Sequence, residues 1–485
     1  MRERRPPIDP SRGRGRASPF DDDFDEEERA LLMKKPFSSV GGRVEHVGLK
    51  AEAQVLGGIL ESQTSVDPDH HTHGFHSYPA RMHPAIAAGA IQAFAPKSGL
   101  VVDPFVGSGT VLVESLLAGH GAVGLDVSPF ALRLAEVKCS LRSDAEVDTF
   151  LGRLAEVAEA STERVKNRVD VRAEISPMER SWYEIHVLKE LAGLLAEIRK
   201  IKDDRDRRAL EMVFSSLVVK FSRQVSDTAE QRVEKRIRKG LVTEFFARKG
   251  TELADRWRAL DFDTPDGTLP PRLAEVPARS LRKHFLRDRA GLIVSSPPYG
   301  GTYDYVDHHA RRVAWLGIDM TRLDKQEIGA RRMLEAPGAI QRWDDELGAA
   351  LEGMRSIITD DANVVLVLGD GEIHGRRIRA VDQMERLAPQ TGFVFVAAAE
   401  QPRRDWKGGP LRSEALILLR PGEWNRRPEP MDRGEIPRAA RPPRRMPERG
   451  ADRENTRQSD RSGDRVSDRP RPRDRGPVRK PRTPR

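Results

Sequence analysis

The stretch Gly99–Thr110, GLVVDPFVGSGT, decides how this chain folds. Its opening, Gly99–Asp103, is an apolar run with the length and β-branched content of a short buried strand. Its remainder, through Thr110, carries Gly107 and Gly109 one residue apart, and VLVESLLAG follows with the apolar density of a buried helix. Ala122–Asp126 (AVGLD) is a second strand and Pro129–Cys139 a second helix. Strand, turn, helix and strand at this spacing make one βαβ unit, so the sheet starts out parallel. Just upstream, residues 84–95 (PAIAAGAIQAFA) have helical spacing, with Pro84 in a first turn where its missing N–H costs nothing.

Strand signals return at Arg272–Val276, Gly291–Ser295, Ala362–Gly369, Phe393–Ala398 and Glu414–Arg420, with helical stretches at 304–318 and 344–358 between them. Alternation followed by two consecutive strands predicts an α/β, Rossmann-like fold, a mostly parallel seven-stranded sheet ending in an antiparallel edge hairpin. Residues 143–262 differ: they carry long amphipathic helical patterns, including Trp182–Ile201 and Arg207–Val225, and no strand signal. The predicted organisation is a disordered segment over 1–40, a first part of the main domain over 41–142 and a helical insertion over 143–262. The second part of the domain runs over 263–421, and a disordered Arg/Pro-rich tail over 422–485. The two ends have too few apolar residues to offset the entropy of ordering them.

The formal net charge of +8 belongs to the tail: Lys/Arg outnumber Asp/Glu by 18 to 9 over 431–485, and the rest of the chain sits near −1. A basic tail suits either sequence-independent attraction to phosphates or simple solubility. A single cysteine, Cys139, excludes a disulfide framework and a thiolate metal cluster. MRERRPP opens the chain with no apolar core after it, and no apolar run approaches membrane-spanning length. The expectation is a soluble cytoplasmic protein without a membrane partner.

The turn Asp103–Thr110 lies where open α/β sheets bind ligands, at the carboxyl end of a strand. A phosphate loop would carry Lys where Thr110 stands, and a dinucleotide fingerprint needs a third glycine. The loop therefore points to a nucleoside without phosphates, or else to a plain structural turn. Phe105 offers a π-face to a cation, and Asp126, closing the second strand, a carboxylate for ribose hydroxyls. The second motif is Ser296-Pro297-Pro298-Tyr299, directly after GLIVS. An aromatic amine is a poor nucleophile because its lone pair is delocalised, and acceptors at its two N–H bonds favour the tetrahedral nitrogen that alkylation requires. Ser296 Oγ and the Pro297 carbonyl suit that task, since the prolines hold the loop extended. Tyr299 can stack on a base extruded from a duplex.

Together these residues resemble the S-adenosylmethionine-dependent DNA amino-methyltransferases, the N4-cytosine and N6-adenine group. His76–Pro84 (HSYPARMHP) is similar to that group's His-Pro-Tyr-Pro-Ala-Lys motif, DPFVGSGT to its DPFxGSGT loop and SPPY to its catalytic loop. Lesser similarities fall at Tyr303-Asp304-Tyr305 and Val367–Gly371. The resemblance implies a site-specific DNA methyltransferase with S-adenosylmethionine as cofactor and no metal. Tyr78, Pro79, Ala80, Asp103, Phe105, Gly107, Gly109, Thr110 and Asp126 would then bind the cofactor, and Ser296, Pro297, Pro298 and Tyr299 the target amine. A leading Ser is more typical of N4-cytosine members. One departure is that Val276-Pro277-Ala278-Arg279 stands where relatives often have Gly-Asp-Ala-Arg, so an Asp contact to the cofactor's adenine must come from elsewhere or be missing.

The sequence carries three further features. His70, His71, His73, His76 and His83 match no standard zinc spacing and lack cysteine partners, which argues against a metal. Arg223, Arg232, Arg236, Arg238 and Lys239 are candidates for nucleic-acid contact, against the plainer reading of a solvated helix face. Asp304, Asp307, His308 and His309 follow the SPPY loop closely enough to offer a base. Competing functional readings are an RNA guanine-N2 methyltransferase, which also pairs a DPF loop with Pro-Pro-Tyr, and a catalytically inactive nucleic-acid-binding protein. The sequence points to no particular endonuclease partner.

Overall fold

The computed structural model describes residues 42–422 except 227–228, 286–288, 301–304, 327, 330–333, 335–336 and 404–411. The expected disordered ends and the Tyr303–Asp304 pair lie outside the described residues.

From the amino end, the strands are β1 (Glu45–Gly48), β2 (Leu100–Asp103), β3 (Ala122–Asp126), β4 (Gln224–Ser226), β5 (Ala229–Arg232) and β6 (Arg272–Glu275). They continue with β7 (Ala290–Ser295), β8 (Ile358–Gly369), β9 (Gly371–Ile373), β10 (Arg376–Ile378), β11 (Phe393–Arg403) and β12 (Arg412–Pro421). The central sheet has eight strands in the order β1-β11-β12-β8-β7-β2-β3-β6. The run from β8 to β6 is parallel throughout, and β12, β11 and β1 follow β8 in antiparallel pairings. All six residues of β7 are buried, as a central strand covered on both faces requires.

The helices are α1 (Lys50–Ser62), α2 (Pro84–Phe94), α3 (Thr110–Leu117), α4 (Pro129–Lys138), α5 (Asp144–Lys166), α6 (Pro177–Arg180) and α7 (Ile185–Ile198). After them come α8 (Asp204–Val218), α9 (Leu241–Asp263), α10 (Tyr305–Leu316), α11 (Thr321–Gln326), α12 (Ala339–Arg355) and α13 (Ala380–Leu387). On one face of the sheet, Leu56 of α1 and Ile86 of α2 pack with Val101, Leu292, Val365, Leu416 and Leu418. On the other, Leu351 of α12 and Met384 of α13 pack with Val102, Ile293, Val364, Ile417 and Leu419. Neighbouring residues of one strand thus feed opposite cores, the period-two logic of a three-layer fold. Helices α5, α7, α8 and α9 share a third core around Phe150, Leu191, Phe214 and Trp257.

Two expectations on strands change. The sheet gains β1, whose EHVG has no alternating pattern; backbone pairing of Glu45–Gly48 with Ala397–Glu400 makes it a strand. The closing hairpin is therefore not at the edge, and its second strand, β12, is the one that pairs with β8. Within 143–262 the β4–β5 hairpin appears where only helices were expected; its short polar segments carry no strand signal. Among the described residues, no helix is long and apolar enough to cross a membrane.

The chain moves outward from β2 to β3 and β6, then returns to β7 and moves outward again to β8. The reversal falls between β2 and β7, so the carboxyl ends of these two strands, Asp103 and Ser295, border the crevice where such sheets bind ligands.

Candidate active site

Asp103 and Ser295, 192 residues apart in sequence, are joined directly: Ser295 Oγ donates to Asp103 Oδ1 at 2.6 Å. The same oxygen accepts the Phe105 N–H at 3.0 Å, which starts the turn. One buried carboxyl group thus ties the glycine loop to the strand that delivers SPPY. Burial, with Asp126 nearby, pushes its pKa up to about 7. Asp126, at the end of β3, accepts the Gly107 N–H at 3.0 Å through one oxygen and the Ser128 N–H at 2.9 Å through the other. Desolvation lifts its pKa to about 6 against the pull of those N–H groups.

Gly107 and Gly109 both take left-handed backbone angles, φ +48° and +85°. A Cβ on Gly107 would come within 3.2 Å of the Tyr78 ring, and one on Gly109 within 3.1 Å of Ala135 in α4. The glycines let the loop turn and let its neighbours close on it. Ala80 is also left-handed, at φ +53°, a strained state for a residue with a Cβ.

The cleft above this loop is lined by Tyr78, Ala80, Asp103, Phe105, Gly107, Thr110 and Asp126, and by Ser296 and Pro298 from the SPPY loop. Both motifs therefore open into one cavity. Pro79, Gly109, Pro297 and Tyr299 do not line it. Tyr299 lies over Gly369 at the end of β8, where an added Cβ would sit 2.8 Å from two ring atoms. Its hydroxyl donates to Glu414 Oε1 at 3.2 Å and lies 3.4 Å from Ser296 Oγ. Glu414 carries no signal in the sequence because it is one polar residue near the start of the last strand; the β12–β8 register places it opposite Gly369.

The unusual Val276–Arg279 segment borders the same cleft. Parallel pairing sets Glu275 of β6 beside Asp126, and the Val276 N–H then donates to the Asp126 carbonyl at 3.0 Å. This stretch offers backbone and Pro277 where an Asp was missed. Arg81, Met82 and Ser108, which sit inside the HSYPARMHP and DPFVGSGT motifs, line the cleft too, as do Leu323 and Gln326, which carry no signal in the sequence.

The basic candidates divide. Arg223 is paired with Glu184 at 2.5 Å, Arg238 makes a two-pronged contact with Glu244 at 2.6 Å, and Arg232 stacks 4.0 Å from the Trp182 ring centre. Arg236 and Lys239 are exposed. Among the residues after SPPY, His309 is buried between the rings of Tyr78 and Phe130, at 5.0 and 4.6 Å. The histidine cluster also resolves: His76 bonds Ser215, His83 caps α2, and His71 meets Asp263. His70 and His73 converge on Glu114 of α3.

Residues 26–137 match the family model described as "DNA methylase", N6/N4 type. A type II methyltransferase of Methanocaldococcus jannaschii, M.MjaII, is 19% identical over 423 residues, covering 68% of this chain and 76% of that protein. M.MvaI of Kocuria varians, another type II methyltransferase, is 40% identical over 70 residues, 14% of this chain and 15% of its own length. Among solved structures, TrmN from Thermus thermophilus is 12% identical with a TM-score of 0.27, covering 70% of this chain and 49% of that one, a slight likeness. The glycine loop and the SPPY loop meet in one cleft, and the sequence matches liken the chain to N6/N4-type DNA methylases over residues 26–137 and, at 19% identity, to a type II methyltransferase over 68% of its length.

Proposed function

We propose that the protein transfers a methyl group from S-adenosylmethionine to the N4 amine of cytosine in DNA. The observation that carries this reading is that Ser296 and Pro298 face the same cleft as Asp103, Phe105 and Asp126. On this reading the ribose hydroxyls donate to Asp126, Phe105 meets the positive end of the donor, and Tyr78 and Ala80 border its methionine part. The backbone of Val276–Ala278 takes the place of the missing Asp at the adenine. The target base leaves the duplex and presents its amine to Ser296 Oγ and the Pro297 carbonyl. The nitrogen lone pair then attacks the methyl carbon in line, the carbon–sulfur bond breaks towards sulfur, and the proton leaves the new amine to solvent. Tyr299, fixed by Glu414, holds the loop in shape. The Ser at the head of SPPY, more typical of N4-cytosine members, favours cytosine over adenine. The exposed Arg236 and Lys239 of the insertion contact phosphates, and the reaction takes place in the cytoplasm.

The test is transfer of a labelled methyl group to DNA, followed by digestion to nucleosides. Labelled N4-methylcytosine is expected. Labelled N6-methyladenine would move the target to adenine, and label appearing in RNA alone, or nowhere, would overturn the DNA reading.

A further inference from the structure

We infer that His70, His73 and Glu114 form a binding site for one zinc ion, which fastens the segment before β2 to the helix that follows the glycine loop. Zinc spacing rules gave no hint of it, because the third ligand lies 41 residues beyond His73. His73 sits in the short 3-10 helix His71–Phe75, with His70 as its cap. Glu114 sits in α3, whose first residue, Thr110, closes the loop.

The donor atoms are already gathered. Glu114 Oε1 lies 2.6 Å from His73 Nε2 and 3.2 Å from His70 Nε2, and one donor atom from each residue falls within a 4.8 Å span. Ligand atoms held at roughly 2.0–2.1 Å around a tetrahedral zinc stand about 3.3 Å apart, so small movements complete the shell. The two imidazoles are stacked, 4.8 Å between centres and 27° between planes, which brings both Nε2 atoms to the same carboxylate. Their loop is held in advance: Arg81 donates to the His73 carbonyl and, at 3.0 Å, to that of Pro68, and Arg256 donates to the carbonyls of Asp69 and His71.

Protons do not satisfy this arrangement. A proton between Glu114 and His73 settles that contact only, and His70 Nε2 remains buried without a hydrogen bond. Lys138, the nearby buried amine, bonds Ser108 Oγ at 3.3 Å rather than Glu114. A divalent cation would meet the carboxylate and the ring lone pairs at once. Two imidazoles and one carboxylate suit zinc, with a fourth position for water. The ion touches no reacting atom in this scheme. It anchors the chain just ahead of Tyr78 and Ala80, which line the cleft.

The test uses the full chain, purified without a metal-affinity step from zinc-supplemented cells. Elemental analysis is expected to give about one zinc per chain. The chelator-stripped protein should regain it in competition with a chromogenic zinc chelator, and zinc should raise its melting temperature by several degrees. His70→Ala removes a partly exposed ligand and should fold; it and Glu114→Gln should hold well under one equivalent and lose the thermal response. Wild-type protein that neither carries zinc nor responds to it, or variants that keep a full equivalent with a native circular-dichroism spectrum, would overturn the proposal. Neither cofactor affinity nor methyl transfer enters these readouts, so the outcome is independent of the catalytic reading.

Discussion

Asp126→Asn is the sharpest single test of the cleft. The carboxylate receives the Gly107 and Ser128 N–H groups, one on each oxygen, and still has lone pairs directed elsewhere. Asn keeps the shape but has one acceptor; its amide NH2 must face either a backbone donor or the ribose. Each hydrogen bond to a charged acceptor is worth roughly 1.5–3 kcal/mol. Loss of the ligand's share alone should raise the dissociation constant of S-adenosylmethionine about ten- to hundred-fold. Stability should move differently. The folded pKa of about 6 lies above the ordinary value of 3.8, so the favourable contribution is complete below 3.8 and is lost as pH rises through 6. Above pH 6 the ionised group costs the ligand-free fold up to about 3 kcal/mol, which Asn relieves while giving up a loop hydrogen bond. The variant should therefore bind far worse at pH 8 without melting much lower.

The same pKa gives a second readout on one instrument. Hydroxyl donors favour the ionised carboxylate, so cofactor binding near pH 6 should expel part of a proton. Titration calorimetry in two buffers of different ionisation enthalpy measures that release. Asp103, with a pKa of about 7, titrates in the same window, so the comparison must be with Asp126→Asn. Affinity within two-fold of wild type, or proton release that persists unchanged in the variant, would refute the assignment of Asp126 to the ribose.

Three further outcomes are expected. Gly369→Ala places a Cβ 2.8 Å from two atoms of the Tyr299 ring and should cut methyl transfer steeply while leaving cofactor affinity within two-fold; unchanged turnover would remove Tyr299 from the site. Tyr299→Phe removes the hydroxyl that donates to Glu414 and accepts from Ser296, and should slow transfer by roughly ten-fold, about the worth of one hydrogen bond to a charged partner, as single-turnover kinetics would report. Replacing Arg236 and Lys239 together by Ala should flatten the slope of log affinity against log salt by about 1.8 in DNA-binding titrations, and Arg238→Ala, whose charge Glu244 already engages, by less; an unchanged slope in the double variant would exclude this segment from phosphate contact.

What the sequence disclosed and what it withheld follow from the range of the interactions. The β2–loop–α3–β3 unit was legible because strand, turn and helix signals sit next to one another. Its relation to SPPY rested on resemblance until the Ser295–Asp103 bond put both in one crevice. Val276–Arg279 read as a lost contact because its meaning depends on the β6–β3 register, which no local pattern encodes. Glu414 and Glu114 are hidden in the same way, each a glutamate in an ordinary element until a distant partner gives it a role.

The helix after SPPY carries the point furthest. Residues 304–318 were read as one more helix of the alternating fold, yet α10 packs into the core of the insertion: Trp315 is buried there and donates to Tyr183 at 2.9 Å. Arg311, one turn earlier, grips Glu179 and Gln224 and lies 3.6 Å from the centre of the Trp182 ring, with Arg232 at 4.0 Å from the same ring. A displacement of the insertion would therefore pull on α10, which begins a few residues after Tyr299. In this latch Arg311 and the Trp182 ring are partly buried and Arg311 is paired with Glu179, so Arg311 holds the insertion to α10 better than it would serve phosphate binding. This is why the exposed Arg236 and Lys239, rather than the whole basic run, are the residues on which DNA affinity should depend.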